Sequence, residues 1–313
     1  MQSELLSLGI DTSNYTTSCA VCRAGKITQQ KRLLPVPPGQ VGLRQSDAVF
    51  SHVKALGELM ETLRREDSGP ITAIGVSERP RDVEGSYMPC FCSGLMAART
   101  AAAALGVPLY RFSHQAGHVA AALYGAGRLD LIEKSFIAFH LSGGTTESVW
   151  VRSLLAPDLV LLAGSSDLNA GQVVDRVGHL LGLGFPAGPA LDALAQQSQQ
   201  RYRVRIKFHE GQPCLSGVEN QCADMLRRGE APADIARYCL DAVLAALKGM
   251  VDRAREQTGC DTLLFAGGVM SNSVIRPAVE EYCGGIFAPR EYSCDNAAGI
   301  ALLTALRAGK ATE

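Results

Sequence analysis

His114-Gln115-Ala116-Gly117-His118 sets two imidazoles four residues apart. On a helix, positions i and i+4 share a face, and two imidazoles on one face suit a transition metal. Gln115 follows the first histidine, so the glutamate that acts as general base in H-E-x-x-H peptidases is absent. The plain alternative is a pair of helix histidines, one capping a neighbouring element. A carboxylate that could complete a metal site stands in Ser293-Cys294-Asp295-Asn296, just before a helical run. Asp295 would serve equally as the N-cap of that helix.

Two glycine turns could hold an anion. In Leu141-Ser142-Gly143-Gly144-Thr145-Thr146 a strand enters a Gly-Gly turn. Turn N–H groups can form an anion nest, and the hydroxyls beside them add donors. A plain hairpin turn has the same appearance. In Leu264-Phe265-Ala266-Gly267-Gly268-Val269-Met270-Ser271-Asn272 a buried strand runs into Gly-Gly and then a helix, which would bring a helix N-terminus close to a nucleotide. Ser271 or Asn272 could also simply cap that helix. The glycines do not form G-x-G-x-x-G, which argues against a dinucleotide site. Asp11, at the end of the first strand, could face a phosphate through a cation or water, or stabilise its own turn.

Arg201, Arg203, Arg205 and Lys207 alternate with apolar residues and fall on one face of an extended chain. Such a stripe could follow a phosphate backbone, or be a charged solvent face.

These residues need a scaffold, and the hydrophobic pattern predicts α/β layers. Strands are expected at Leu5–Ile10, Thr16–Cys22, Ile27–Leu34 and Ile71–Val76, with Asp11–Tyr15 as a polar turn. Helices are expected at Ser46–Glu66, Gly94–Leu105 and His114–Tyr124. A second set of strands is expected at Phe136–Leu141, Thr145–Val151, Leu159–Ala163, Thr262–Phe265 and near Ile286. Helices are expected at Gly171–Leu181, Gly188–Gln199, Ser216–Arg228, Pro232–Thr258, from Ser271, and at Asn296–Ala308. Pro35–Arg44 reads as a loop. Aligning Thr16-Thr17 with Thr145-Thr146 also places Ser13 on Ser142, which suggests a duplicated domain opening each time with the same hairpin.

With 313 residues, 47% hydrophobic, the chain can bury two domains. The net charge of −1 is unlike that of a dedicated nucleic-acid binder, so an RNA substrate would require a local basic surface or a partner. Ten cysteines without a secretory start or a membrane-length apolar run suggest a cytoplasmic protein with reduced thiols. Cys19 and Cys22, and likewise Cys90 and Cys92, read as buried apolar residues rather than metal ligands.

In order and spacing the motifs resemble those of the tRNA threonylcarbamoyladenosine synthase family, once named O-sialoglycoprotein endopeptidases. The resemblance runs from Leu8-Gly9-Ile10-Asp11-Thr12-Ser13 through the His114–His118 helix and the Ser142 turn. It continues through Asp167–Asp192, with Leu215-Ser216-Gly217-Val218 a weaker echo, to Ala266–Asn272 and Cys294–Ala298. It implies duplicated actin/Hsp70/sugar-kinase-like domains with a ligand cleft between them. The first would span 1–130 with the metal helix and the second 131–313, its last helix returning toward the first.

The resemblance further implies iron or zinc held by His114, His118 and Asp295. Asp11 and Ser142 would act at the reaction centre. Ser142, Gly143, Gly144, Thr145, Gly267 and Gly268 would line the phosphate region, and Asp175, Gly188, Asp192 and Asn272 the nucleoside. The ligand would be ATP, AMP or threonylcarbamoyl-adenylate with its phosphate near the metal. The reaction would transfer the threonylcarbamoyl group to adenosine 37 of tRNA, with helper subunits or self-association and no membrane.

Some residues depart from the family pattern. Asn14-Tyr15-Thr16 replaces cysteine and acidic residues, Thr145 a histidine, and Gln172 and Arg176 a glutamate and a lysine. The loop 35–44 also differs, although Ser51-His52 stands in a comparable place on its helix. These changes suit a carbamoyltransferase-like paralogue with a different acceptor. A non-catalytic partner subunit is a further alternative, against which the retained His114, His118 and Asp295 speak.

Overall fold

The computed structural model describes residues 5–13, 15–35 and 43–310. Asn14 and most of the loop expected at 35–44 lie outside them. In chain order the elements begin with β1 (Leu6–Ser13), β2 (Thr16–Arg23), β3 (Lys26–Leu33), α1 (Gln45–Glu66), β4 (Ile71–Arg79), α2 (Phe91–Leu105), β5 (Leu109–Ser113) and α3 (His114–Gly125). Then come β6 (Phe136–Leu141), β7 (Thr146–Ser153), β8 (Asp158–Gly164), α4 (Ala170–Leu180), α5 (Gly188–Ala195), β9 (Phe208–His209), β10 (Gln212–Pro213) and α6 (Ser216–Arg227). The last are α7 (Pro232–Thr258), β11 (Leu263–Ala266), α8 (Ile275–Cys283), β12 (Ile286–Phe287) and α9 (Ala298–Lys310).

The chain divides into two compact units: 1–134 with 152–159 and 291–313, and 135–151 with 160–290. The first holds a five-stranded sheet in the order β3-β2-β1-β4-β5, and the other sheet runs β12-β11-β6-β7-β8. In each, an antiparallel hairpin leads and two parallel strands follow on the far side of its first strand. The hairpins close alike. Ser13 pairs with Thr16, and Ser142 N donates to Thr145 O at 2.7 Å. The correspondence of Ser13 with Ser142 is thus a correspondence of backbone position.

In the first unit, Leu6, Leu8, Ile10, Val21, Ile74 and Val76 pack with Leu56, Leu59 and Leu63 of α1. In the second, Phe139, Phe265 and Phe287 stack across three parallel strands, with centroids 5.0 Å apart. Burying such side chains contributes roughly 1.5–3 kcal/mol each. Among the described residues no helix is long and apolar enough to cross a membrane.

Several local expectations need correction. Asp11 lies inside β1, fully buried, because the strand continues through Ser13. Residues 268–271 form a single 3-10 turn and the following helix starts only at Ile275. The break is at Asn272, whose backbone is extended and whose Oδ1 accepts from Val274 N and Ile275 N. Cys19, Cys22 and Cys90 are buried as expected, and burial pushes the Cys19 thiol up to about 12. Cys92 is exposed, because positions two apart at the start of α2 point to different sides. The row 201–207 forms no strand among the described residues, but its residues alternate between exposed and half-buried.

Candidate functional site

Ser113 starts α3 where the chemistry requires it. Its Oγ accepts from Ala116 N at 3.0 Å and donates to Asp82 Oδ2 at 2.6 Å. Capping at Ser113 makes His114 the first helical residue and puts His118 one turn on. The remaining face of α3 is small and buried: Ala116, Gly117, Ala120, Ala121 and Ala122.

That face receives α9. A Cβ at Gly117 would lie 2.9 Å from Ile300 Cδ1, and one at Gly299 would collide with the Gly117 carbonyl. The two helices therefore meet backbone to backbone. Asn296, whose Oδ1 accepts from Ala298 N at 3.0 Å, satisfies the start of α9. Asp295, freed from capping, turns to the histidines. Its Oδ1 lies 3.1 Å from His118 Nε2 and 3.4 Å from His114 Nε2.

Asp11 stands on the other side of His114, its Oδ2 2.6 Å from Nδ1, while its Oδ1 accepts from Ser13 N at 2.7 Å. An ionised carboxylate only accepts, so Nδ1 carries the proton and Nε2 faces the remaining groups. One ligand atom from each of His114, His118 and Asp295 lies within 4.8 Å of the others. Two imidazoles and a carboxylate with an imidazole held from behind fit a transition-metal site that keeps open positions.

The charges agree. Burial would raise the Asp11 carboxyl, but the neighbouring His114 imidazole outweighs it and holds the group below its ordinary value. Burial would lower His114, and Asp11 and Asp295 together lift it instead to about 10. Burial opposes ionisation of Asp295 too, yet the two imidazoles keep its carboxyl well below the usual range. The two carboxylates flanking His114 give the cluster negative charge, which attracts a cation.

Sequence reasoning gave His52 no chemical role, only its place on the helix. It is fully buried on α1, its Nδ1 2.8 Å from Thr17 Oγ1, and Nε2 has no hydrogen-bond partner among the described residues. Burial pushes its imidazole down to about 4, against the pull of Asp11. Above pH 6.5 both folded and unfolded chains hold it neutral, and its contribution to stability is complete. As pH falls from 6.5 toward 4, only the unfolded chain takes up the proton, and stability declines by up to about 3 kcal/mol. Urea unfolding of wild type and His52→Gln at pH 7 and pH 4.5 tests this. The variant is expected to lose less stability on acidification, and equal losses would rule His52 out as the cause.

In the second unit the Ser142 turn is closed by its own side chain. Ser142 Oγ accepts from Gly144 N at 3.3 Å and Thr145 N at 3.1 Å. Glycines again allow close approach. A Cβ at Gly171 would lie 2.5 Å from Gly143 N, and one at Gly267, whose φ is +100°, would lie 2.8 Å from Leu141 N. The structure thus brings Ser142, Gly143, Gly144 and Thr145 beside Gly267 and Gly268.

Asp192 joins the same loop at its far end, accepting from Ser273 N at 2.9 Å and Ser273 Oγ at 2.7 Å. Asn272, with Oδ1 occupied by the start of α8, acts there as a cap. Asp175 Oδ1 accepts from Ala187 N at 2.8 Å, just before Gly188, and burial raises its carboxyl. Ser273 was missed because a lone loop serine carries no pattern.

The sequence model of the family described as TsaD: tRNA N6-adenosine threonylcarbamoyltransferase matches residues 40–302. The chain belongs to this family. A tRNA N6-adenosine threonylcarbamoyltransferase of Thermus thermophilus is 32% identical over 315 positions, covering 94% of this chain and 90% of the relative. Among solved structures, full-length HypF in a phosphate- and nucleotide-bound form superposes with a TM-score of 0.66 at 13% identity. That match takes in 100% of this chain and 57% of HypF. Component A of the Acidaminococcus fermentans (R)-2-hydroxyglutaryl-CoA dehydratase gives 0.58 at 18% identity, covering 97% of this chain and 99% of its own. These likenesses are of fold, which is the actin-like, sugar-kinase-type α/β fold expected.

Proposed function

We propose that the chain transfers a threonylcarbamoyl group from threonylcarbamoyl-adenylate to N6 of adenosine 37 in tRNA, with a divalent iron or zinc ion held by His114, His118 and Asp295. The observation that carries this reading is the His114–His118–Asp295 cluster with Asp11 behind it, in a chain of this family. N6 attacks the carbamoyl carbon, the bond from that carbon to the phosphate oxygen breaks, AMP leaves with the electron pair, and the amine gives up a proton. When bound, the ion supplies Lewis-acid stabilisation of developing negative charge. Asp11 is a positioning residue, because it holds the Nδ1 proton of His114 and so aims Nε2.

In the second unit, Ser142, Gly143, Gly144, Thr145, Gly267 and Gly268 form the phosphate side. Rotation of the Ser142 hydroxyl frees two N–H donors for a departing phosphate. Asp175, Gly188, Asp192 and Asn272 shape the nucleoside side. A second reading, a carbamoyltransferase with another acceptor, is favoured by Thr145 at a position where the family usually carries histidine.

The test incubates the full chain, metal-loaded, with threonylcarbamoyl-adenylate, unmodified tRNA and the helper subunits of that modification, followed by mass spectrometry of the nucleosides. Threonylcarbamoyladenosine is expected. Absence of product while AMP still binds would overturn tRNA as the acceptor.

A further inference from the structure

We infer that the segment 201–207, whose exposed and half-buried residues alternate, is a track for the phosphate backbone of RNA, an inference that rests on tRNA being the acceptor. Arg201, Arg203, Arg205 and Lys207 are exposed, and Tyr202, Val204, Ile206 and Phe208 between and after them pack on the core of the second unit. Alternate residues of an extended chain repeat at about 6.6 Å on one side, a spacing of the same order as that of successive phosphates along a strand.

The apolar side fixes the row in place on α7. Tyr202 N donates to Asp241 Oδ2 at 2.9 Å, and its ring meets Tyr238 edge-on at 5.4 Å. Phe208 lies under Arg253, 3.7 Å from the guanidinium to the ring centroid. At the far end Cys214 N donates to Lys207 O at 2.9 Å. The cations therefore project from a fixed backbone.

Counter-charges do not match them. Elsewhere arginines are matched with carboxylates, as in Arg32–Glu58, Arg152–Asp158, Arg176–Glu219 and Arg276–Glu280. Among the described residues no ion pair reaches Arg203, Arg205 or Lys207. Near the start of the row, Asp241 is engaged by Arg237 at 3.0 Å and Glu230 by Arg228 at 2.7 Å, while Asp234 accepts from the Ser198 hydroxyl. Four like charges spaced within a Debye length of about 8 Å repel one another, and a polyanion relieves that repulsion. In a chain of net charge −1 this row is the local basic surface that an RNA substrate requires.

The row continues into a groove of about 580 Å³ whose walls include the cations Arg201 and Arg237, the carboxylate Glu281, and Gln196 and Ser273. Ser273 is the residue bonded to Asp192. Within this unit the track thus runs toward the residues assigned to the nucleoside.

The test measures binding of a fluorescently labelled, unmodified tRNA transcript to the full chain across a series of KCl concentrations. The triple variant Arg203→Gln/Arg205→Gln/Lys207→Gln is expected to bind on the order of 10- to 100-fold more weakly at low salt. Its log–log salt slope is expected to shrink by about 2 to 3. Arg203→Lys/Arg205→Lys should keep most of the affinity, and Arg32→Gln/Arg152→Gln, which removes exposed but paired cations, all of it. Wild type that binds while the triple variant, with an unaltered melting curve, shows the same affinity and slope would overturn the track and leave the transferase reading intact. Failure of wild type to bind the transcript even with the helper subunits added would overturn both.

Discussion

Exchanging His118 for Ala is expected to abolish stoichiometric binding of a divalent metal while the chain stays folded. In the proposed site the imidazole is one of three ligand donors, and its removal leaves His114 and Asp295 to hold the ion alone. Loss of Lewis-acid stabilisation should slow transfer by roughly three orders of magnitude, or about 4 kcal/mol of barrier. Elemental analysis after dialysis reads the metal, and nucleoside mass spectrometry reads the transfer. Metal retained one-to-one would sink the assigned site. Asp11→Asn makes the finer comparison. It keeps an acceptor for His114 Nδ1 but removes the charge, and metal affinity should fall about 10- to 100-fold. Unchanged affinity would mean that Asp11 does not position His114.

Gly299→Val is expected to cost about 3 kcal/mol and to weaken the metal site from a distance. The added side chain would meet the Gly117 carbonyl and Ala121 N, both main-chain atoms of α3 that cannot rotate aside. Overpacking a core costs about 1–3 kcal/mol, and a wall of backbone puts this position at the upper end. To relieve the clash α9 must move off α3, carrying Asp295 from His114 and His118. Denaturant unfolding should show a lower midpoint, and metal affinity should drop at least about tenfold. Gly57→Ala is the control, because nothing lies within 4 Å of a Cβ there and helix propensity favours alanine by about 0.5–1 kcal/mol. If Gly299→Val matched wild type in midpoint and affinity, the close crossing would not be what assembles the site.

Much of the scaffold was legible in the sequence, because it depends on patterns a few residues long. The helix Pro232–Thr258 ends where its periodicity and its final Gly259 say it should. The two hairpins with their Ser and Thr-Thr positions were visible before either sheet was, and the sheets share one strand order. The short strand Leu109–Ser113 was not seen, since five residues after a proline carry too little alternation to stand out.

The amino-acid sequence by itself determined which residues could do chemistry: two imidazoles on one helix face, a carboxylate before the last helix, two glycine turns and an alternating basic row. These follow from side-chain type and local repeat, and the order of the motifs carried the family. Tertiary structure alone decided where each one lies and what it touches. It brought Asp295 to His118 across 177 positions through a crossing of Gly117 and Gly299. It gave the capping of α9 to Asn296, so that Asp295 was free to turn. It buried Asp11 behind His114, and it folded Ser142 onto its own turn. The reason is that hydrogen-bond partners and burial depend on how closely backbones approach, and that distance is set by residues far apart in the chain.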